Sequence, residues 1–96
     1  MNWGVDMAVK SSGNVFADLG FDKEEATNLK LRSQLMIEVD KALAAKNMTQ
    51  VAAAKVLDIS QPRVSDLIRG KVDKFTIDML VNILTKLGHK VTIRIA

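Results

Sequence analysis

Residues 49–70, TQVAAAKVLDISQPRVSDLIRG, decide the fold. Thr49 can cap a helix with its hydroxyl, and Gln50 to Leu57 follow with an alanine-rich composition that favours a helix and contains neither Gly nor Pro. Asp58 stands where a tight turn needs a residue at positive φ; Gly is usual there, and Asp tolerates the left-handed region better than most. Ser60 offers a second cap, Pro62 falls in the first turn of the next helix where its missing N–H costs nothing, and Gly70 is placed to end that helix. Helices this short are not stable alone, so their apolar faces must pack on each other and on flanking helices. Ala53, Ala54, Leu57, Ile59, Val64, Leu67 and Ile68 supply that face, which leaves Gln61, Arg63, Ser65, Asp66 and Arg69 outside. The pattern is a helix-turn-helix.

An alanine-rich helical hairpin with polar outer residues also occurs in bundles that bind no nucleic acid. Charge separates the two readings. Lys41 to Lys74 holds seven Lys/Arg against three Asp, or +4, whereas the rest of the chain holds seven against eight, or −1, for a total of +3. Positive charge gathered around one motif is what attraction to phosphate requires, and it brings Lys71 and Lys74, just beyond the second helix, into the candidate interface.

Ninety-six residues suffice for one domain with its own core. Apolar content of 48% and charged content of 26% are those of a globular protein rather than a disordered one. The absence of Cys excludes disulfides and thiolate metal sites and suits a reducing cytoplasm. No apolar run approaches the roughly 20 residues that span a bilayer, and no secretory signal pattern opens the chain. A soluble, cytoplasmic protein is expected.

Outward from the motif toward the N-terminus, residues 22–46 read as a long helix. Asp22 and Glu25 form a capping-box arrangement at its start, with acidic residues at the positive end of the helix dipole. Leu29, Arg32, Met36, Val39 and Leu43 recur at spacings of three and four, with Leu35 and Ala42 widening the stripe. Arg32 interrupts the apolar run, so a bend or a second helix start is expected there. Residues 1–21 form an N-terminal arm ahead of the domain at 22–96. In it, Trp3, Val5, Met7 and Val9 alternate with smaller or polar residues at the period of a half-buried strand, a reading that competes with a loose arm. Ser11 to Asn14 read as a turn, and Val15, Phe16, Leu19 and Phe21 then need a surface to cover.

Toward the C-terminus, Phe75 and Thr76 read as a hydrophobic staple and an N-cap, followed by a helix over 77–87 with Ile77, Leu80, Val81, Leu84 and Leu87 inward and Gly88 as its stop. His89, Val91, Ile93 and Ile95 then alternate with Lys90, Thr92 and Arg94, the pattern of a short strand. A lone strand leaves its backbone groups unpaired, so it pairs either with residues 1–9 or with its twin in a homodimer, in which case Val91, Ile93 and Ile95 lie at the dimer interface.

One His, no Cys, no Gly-rich phosphate loop and no Ser/His/Asp set leave nothing to carry catalysis. His89 reads as the start of a strand rather than a base or ligand. Asp22, Glu24 and Glu25 are explained by the helix dipole rather than by a metal. No enzyme activity, cofactor or metal is expected.

Over TQVAAAKVLDISQPRVSDLIRGK the sequence resembles the XRE-type helix-turn-helix of phage repressors. The GNVFADLGF segment, the acidic-capped long helix and the terminal GHKVTIRI make the whole chain look like a small HigA-type antitoxin subfamily. The resemblance implies a lambda-repressor-like, all-α domain of five helices with a short C-terminal β-strand. It further implies a homodimeric transcriptional repressor that binds its own double-stranded DNA operator through the major groove and neutralises a RelE-like ribonuclease toxin. Carried over by position, Thr49 and Gln50 hold phosphate, Ser60 and Gln61 open the recognition helix, Gln61 reads a base, and Arg69 and Lys71 meet the DNA backbone. Pro62 and Asp66 depart from the glutamines that some phage repressors carry there, so base preference does not transfer. The rival readings are a stand-alone prophage-type regulator and a protein-interaction module whose helix-turn-helix is only scaffold.

Overall fold

Helix ends, more than helix interiors, set the architecture. The computed structural model describes residues 4–9, as backbone, and 15–96. In chain order these form β1 (Gly4–Val9), α1 (Val15–Asp18), α2 (Lys23–Ala45), α3 (Gln50–Leu57), α4 (Gln61–Ile68), a 3-10 turn (Val72–Lys74), α5 (Ile77–Lys86) and β2 (Lys90–Ile95). The molecule is thus mostly helical, as the pattern predicts, and the strand expected in the arm is present as β1. Trp3 and the turn expected over Ser11 to Asn14 lie outside the described residues.

Four helices start at the polar residue marked for the purpose. Asp22 Oδ1 accepts from the Glu25 N–H at 2.8 Å, Thr49 Oγ1 from Ala52 at 3.1 Å, Ser60 Oγ from Arg63 at 3.4 Å and Thr76 Oγ1 from Met79 at 3.1 Å. All five helices end alike, on a residue at positive φ: Gly20, Asn47, Asp58, Gly70 and Gly88. The N–H of the following residue then reaches back five positions, Phe21 to Phe16, Met48 to Leu43, Ile59 to Ala54, Lys71 to Asp66 and His89 to Leu84. This is the Schellman closure, and it satisfies carbonyls that a helix end would otherwise leave bare. Asp58 takes it at φ 56 and ψ 47, as its place in the turn requires.

The core lies between α2 and the rest. Leu35, Met36, Val39, Ala42 and Leu43 of α2 face Ala53, Leu57, Val64, Leu67, Phe75, Leu80, Ile83, Leu84 and Leu87. The Phe75 side chain is among the largest fully buried in the chain, as a staple residue before the Thr76 cap should be. Two expectations about this stripe need correction. α2 does not restart at Arg32: the helix runs unbroken through it, and Arg32 is part-buried with its Nη1 donating to the carbonyls of Val72 at 2.9 Å and Phe75 at 3.2 Å. A charge with two acceptors can sit in an apolar stripe. Ile68, expected inside, is 43% exposed, and Ile83, absent from the expected stripe, is buried. Ile83 falls one turn from both Leu80 and Leu87, which places it on their face.

β1 and β2 form a two-stranded parallel sheet, with Gly4 opposite Lys90 and Val9 opposite Ile95. Of the two partners open to β2, the chain supplies its own. All five helices lie between the paired strands, as the crossover that parallel pairing demands. Phe16 of α1 and Phe21, beyond its end, meet edge to face at 6.1 Å. The described part of the chain covers Phe16 in part and leaves Val15, Leu19 and Phe21 exposed.

Candidate nucleic-acid interface

The helix pair is closed by local chemistry and braced from outside. Its two caps and the Asp58 turn fix how α4 leaves α3, and Leu57, Val64 and Leu67 seal the joint. A brace not foreseen from sequence comes from α5: Lys86 Nζ donates to the Leu57 carbonyl at 3.1 Å, at the negative end of α3. No local signal could have revealed a bond across 29 residues. Arg32 is different, since a lone cation within an apolar stripe is itself the hint of an internal acceptor.

α4 presents a mixed row. Gln61 and Pro62 at its start are exposed, as are Arg69 and Gly70 at its end, while Ser65 is half-buried. Thr49 and Gln50 are exposed at the start of α3, and Thr49 and Ser60 each spend an oxygen lone pair on a cap. Gln61, Arg69, Thr49 and Gln50 are therefore accessible as the sequence predicts.

Arg63 is not a free outer residue. Its guanidinium carbon lies 4.1 Å from the centroid of the Phe75 ring, and Nη2 donates to the Lys74 carbonyl at 3.0 Å. Asp66 is likewise engaged: its side chain is only 17% exposed, with Oδ1 3.4 Å from Lys71 Nζ and Oδ2 3.9 Å from Lys74 Nζ. The helix end causes this. Because the Lys71 N–H bonds back to the Asp66 carbonyl, the two side chains leave the backbone close together. The segment after Gly70 is thus held on three sides: Arg32 on the carbonyls of Val72 and Phe75, Arg63 on that of Lys74, and Asp66 on the two lysine ammoniums.

A family model described as a helix-turn-helix domain matches residues 15–96. The chain belongs to that family. The helix-turn-helix match begins at the first residue of α1 and takes in all five helices and β2. No curated protein matches the chain. Among the described residues, no helix of this domain is long and apolar enough to cross a membrane.

Proposed function

We propose that this helix-turn-helix protein is a sequence-specific repressor of the XRE type that binds double-stranded DNA with α4 in the major groove. One observation carries the reading: Gln61 and Arg69 are exposed at the two ends of α4, and the partly exposed Lys71 and Lys74 follow directly. That set joins a side chain able to pair with a base to cations suited to phosphate. The net +4 of residues 41–74 supports the same reading. The test is a shift assay on an operator selected from random duplexes, repeated across salt. If a dimer makes about six to eight phosphate contacts, log K falls against log salt with a slope of roughly −5 to −7. Salt-independent binding, or none, returns the helix-turn-helix to the role of scaffold in a protein-interaction module.

The repressor acts as a homodimer through β2, with Ile93 and Ile95 at the contact, whereas Val91, expected there too, packs against the chain's own core. The support is that β2 is paired by β1 along one edge only among the described residues, and that Ile93 and Ile95 are 43% and 89% exposed. A two-fold dimer of this kind would set its recognition helices roughly 34 Å apart, one turn of DNA. Pro at Thr92 should yield monomer by sedimentation; a persisting dimer would assign the contact elsewhere.

Within this reading the chain is the HigA-type antitoxin of a RelE-like ribonuclease, acting in the cytoplasm where its operator lies. The exposed Val15, Leu19 and Phe21 support a protein partner besides DNA. Co-expression with the small reading frame beside its gene should rescue growth that the neighbour alone arrests. Without such a neighbour the protein is a stand-alone prophage-type regulator.

A further inference from the structure

Asp66 stands on α4, and a carboxylate on a helix that meets DNA repels phosphate. Its surroundings give that carboxylate a different role. It is mostly buried, and its two oxygens lie 3.4 Å from Lys71 Nζ and 3.9 Å from Lys74 Nζ, while the lysine side chains themselves are 41% and 47% exposed. The arrangement is built into the backbone, since the Schellman closure at Gly70 sets Lys71 beside Asp66 and the 3-10 turn returns Lys74 to it. Arg63, through the Lys74 carbonyl, and Arg32, through those of Val72 and Phe75, fix the same turn without contacting the ammoniums.

We propose that Asp66 is an intramolecular competitor of DNA phosphate: it occupies Lys71 and Lys74 in the free protein and is replaced at them when the backbone of DNA arrives. The proposal rests on the DNA-binding reading and makes Asp66 a residue that acts through the two lysines rather than one that reads a base. Two lysines and one carboxylate leave the cluster at +1 instead of +2, which holds down affinity for DNA of any sequence. A carboxylate that accepted from a cytosine amine would instead favour one sequence.

The experiment compares the wild-type chain with Asp66→Asn, Lys71→Ala/Lys74→Ala and the triple variant, each checked for an unchanged melting curve. Each is titrated against a random-sequence 30-base-pair duplex, a probe length of roughly three helical turns, and run on immobilised heparin. Asp66→Asn should bind the random duplex about threefold more tightly per bound subunit at low salt, the scale of partly exposed ion pairs that no longer compete for the two lysines. The gain should fade as salt rises, and Asp66→Asn should leave heparin at higher salt than wild type. In the Lys71→Ala/Lys74→Ala background both gains should vanish. Unchanged or weaker duplex binding by Asp66→Asn, or an equal gain without the lysines, overturns the proposal while leaving DNA binding in place. A lysine-dependent heparin shift with no duplex bound by any variant overturns the DNA reading instead.

Discussion

The Arg63 guanidinium carbon lies 4.1 Å from the centroid of the Phe75 ring and so joins α4 to the buried residue that precedes the Thr76 cap of α5. The same guanidinium donates to the Lys74 carbonyl at 3.0 Å. A cation–π contact at a partly exposed site and one charge-assisted hydrogen bond together suggest that Arg63→Ala costs about 1–2 kcal/mol in urea unfolding. Arg63→Lys keeps the charge but not the planar fork, and should recover less than half of the loss. A cost within error of zero would show that the contact contributes nothing.

Gln61 and Arg69 sit at opposite ends of α4 and should fail differently. Gln61 presents a donor and an acceptor matched to adenine N6 and N7, so Gln61→Ala should cost about 1–3 kcal/mol on the operator and leave random-duplex binding and the salt slope nearly unchanged. Arg69→Ala should weaken both duplexes alike and make the slope about one unit shallower. Equal losses on both duplexes for Gln61→Ala would remove it as a base reader.

Arg32 should behave as a buried anchor. Replacing it by Leu removes both bonds and leaves the Phe75 carbonyl short of a donor, while the Val72 carbonyl keeps only the long bond from the Phe75 N–H. The expected loss is about 2–3 kcal/mol, with faster amide exchange through the 3-10 turn. Stability equal to wild type would mean that packing replaces the hydrogen bonds.

Asp58 holds φ 56 at the turn between α3 and α4. Gly adopts that conformation freely, so Asp58→Gly should stay within about 0.5 kcal/mol of wild type, whereas a β-branched Asp58→Val should cost about 1–2 kcal/mol. Thermal melts of the two variants that coincide would contradict the conformational argument.

Much of this was legible because helix ends announce themselves chemically. Asp22, Thr49, Ser60 and Thr76 each had a local reason to cap, and Gly70 and Gly88 a local reason to stop, so the boundaries of α3 and α4 follow from adjacent residues alone. Asn47 carries a weaker version of the same signal, Asn being an occasional substitute for Gly at a left-handed helix end. The outer face is less legible. Its positions follow from helical period, but whether Arg63 and Asp66 point freely outward depends on Phe75, Lys71 and Lys74, which a turn of the chain brings back beside them. Lys86 on the Leu57 carbonyl was beyond reach for the same reason.

The parallel sheet bears on the order in which the molecule assembles. Gly4 pairs with Lys90, a separation of 90 − 4 = 86 positions that is the same for every pair in the register. Closing so long a loop is entropically costly, while the contacts among α3, α4 and the following turn are short in sequence. The helices should therefore collapse first, and the two strands should zip together last onto a finished helical body. In native-state hydrogen exchange, the strand amides should open as a separate unit at lower free energy than those of α2 and α5. The two ends of the chain would then come together and part while the recognition helix stays folded.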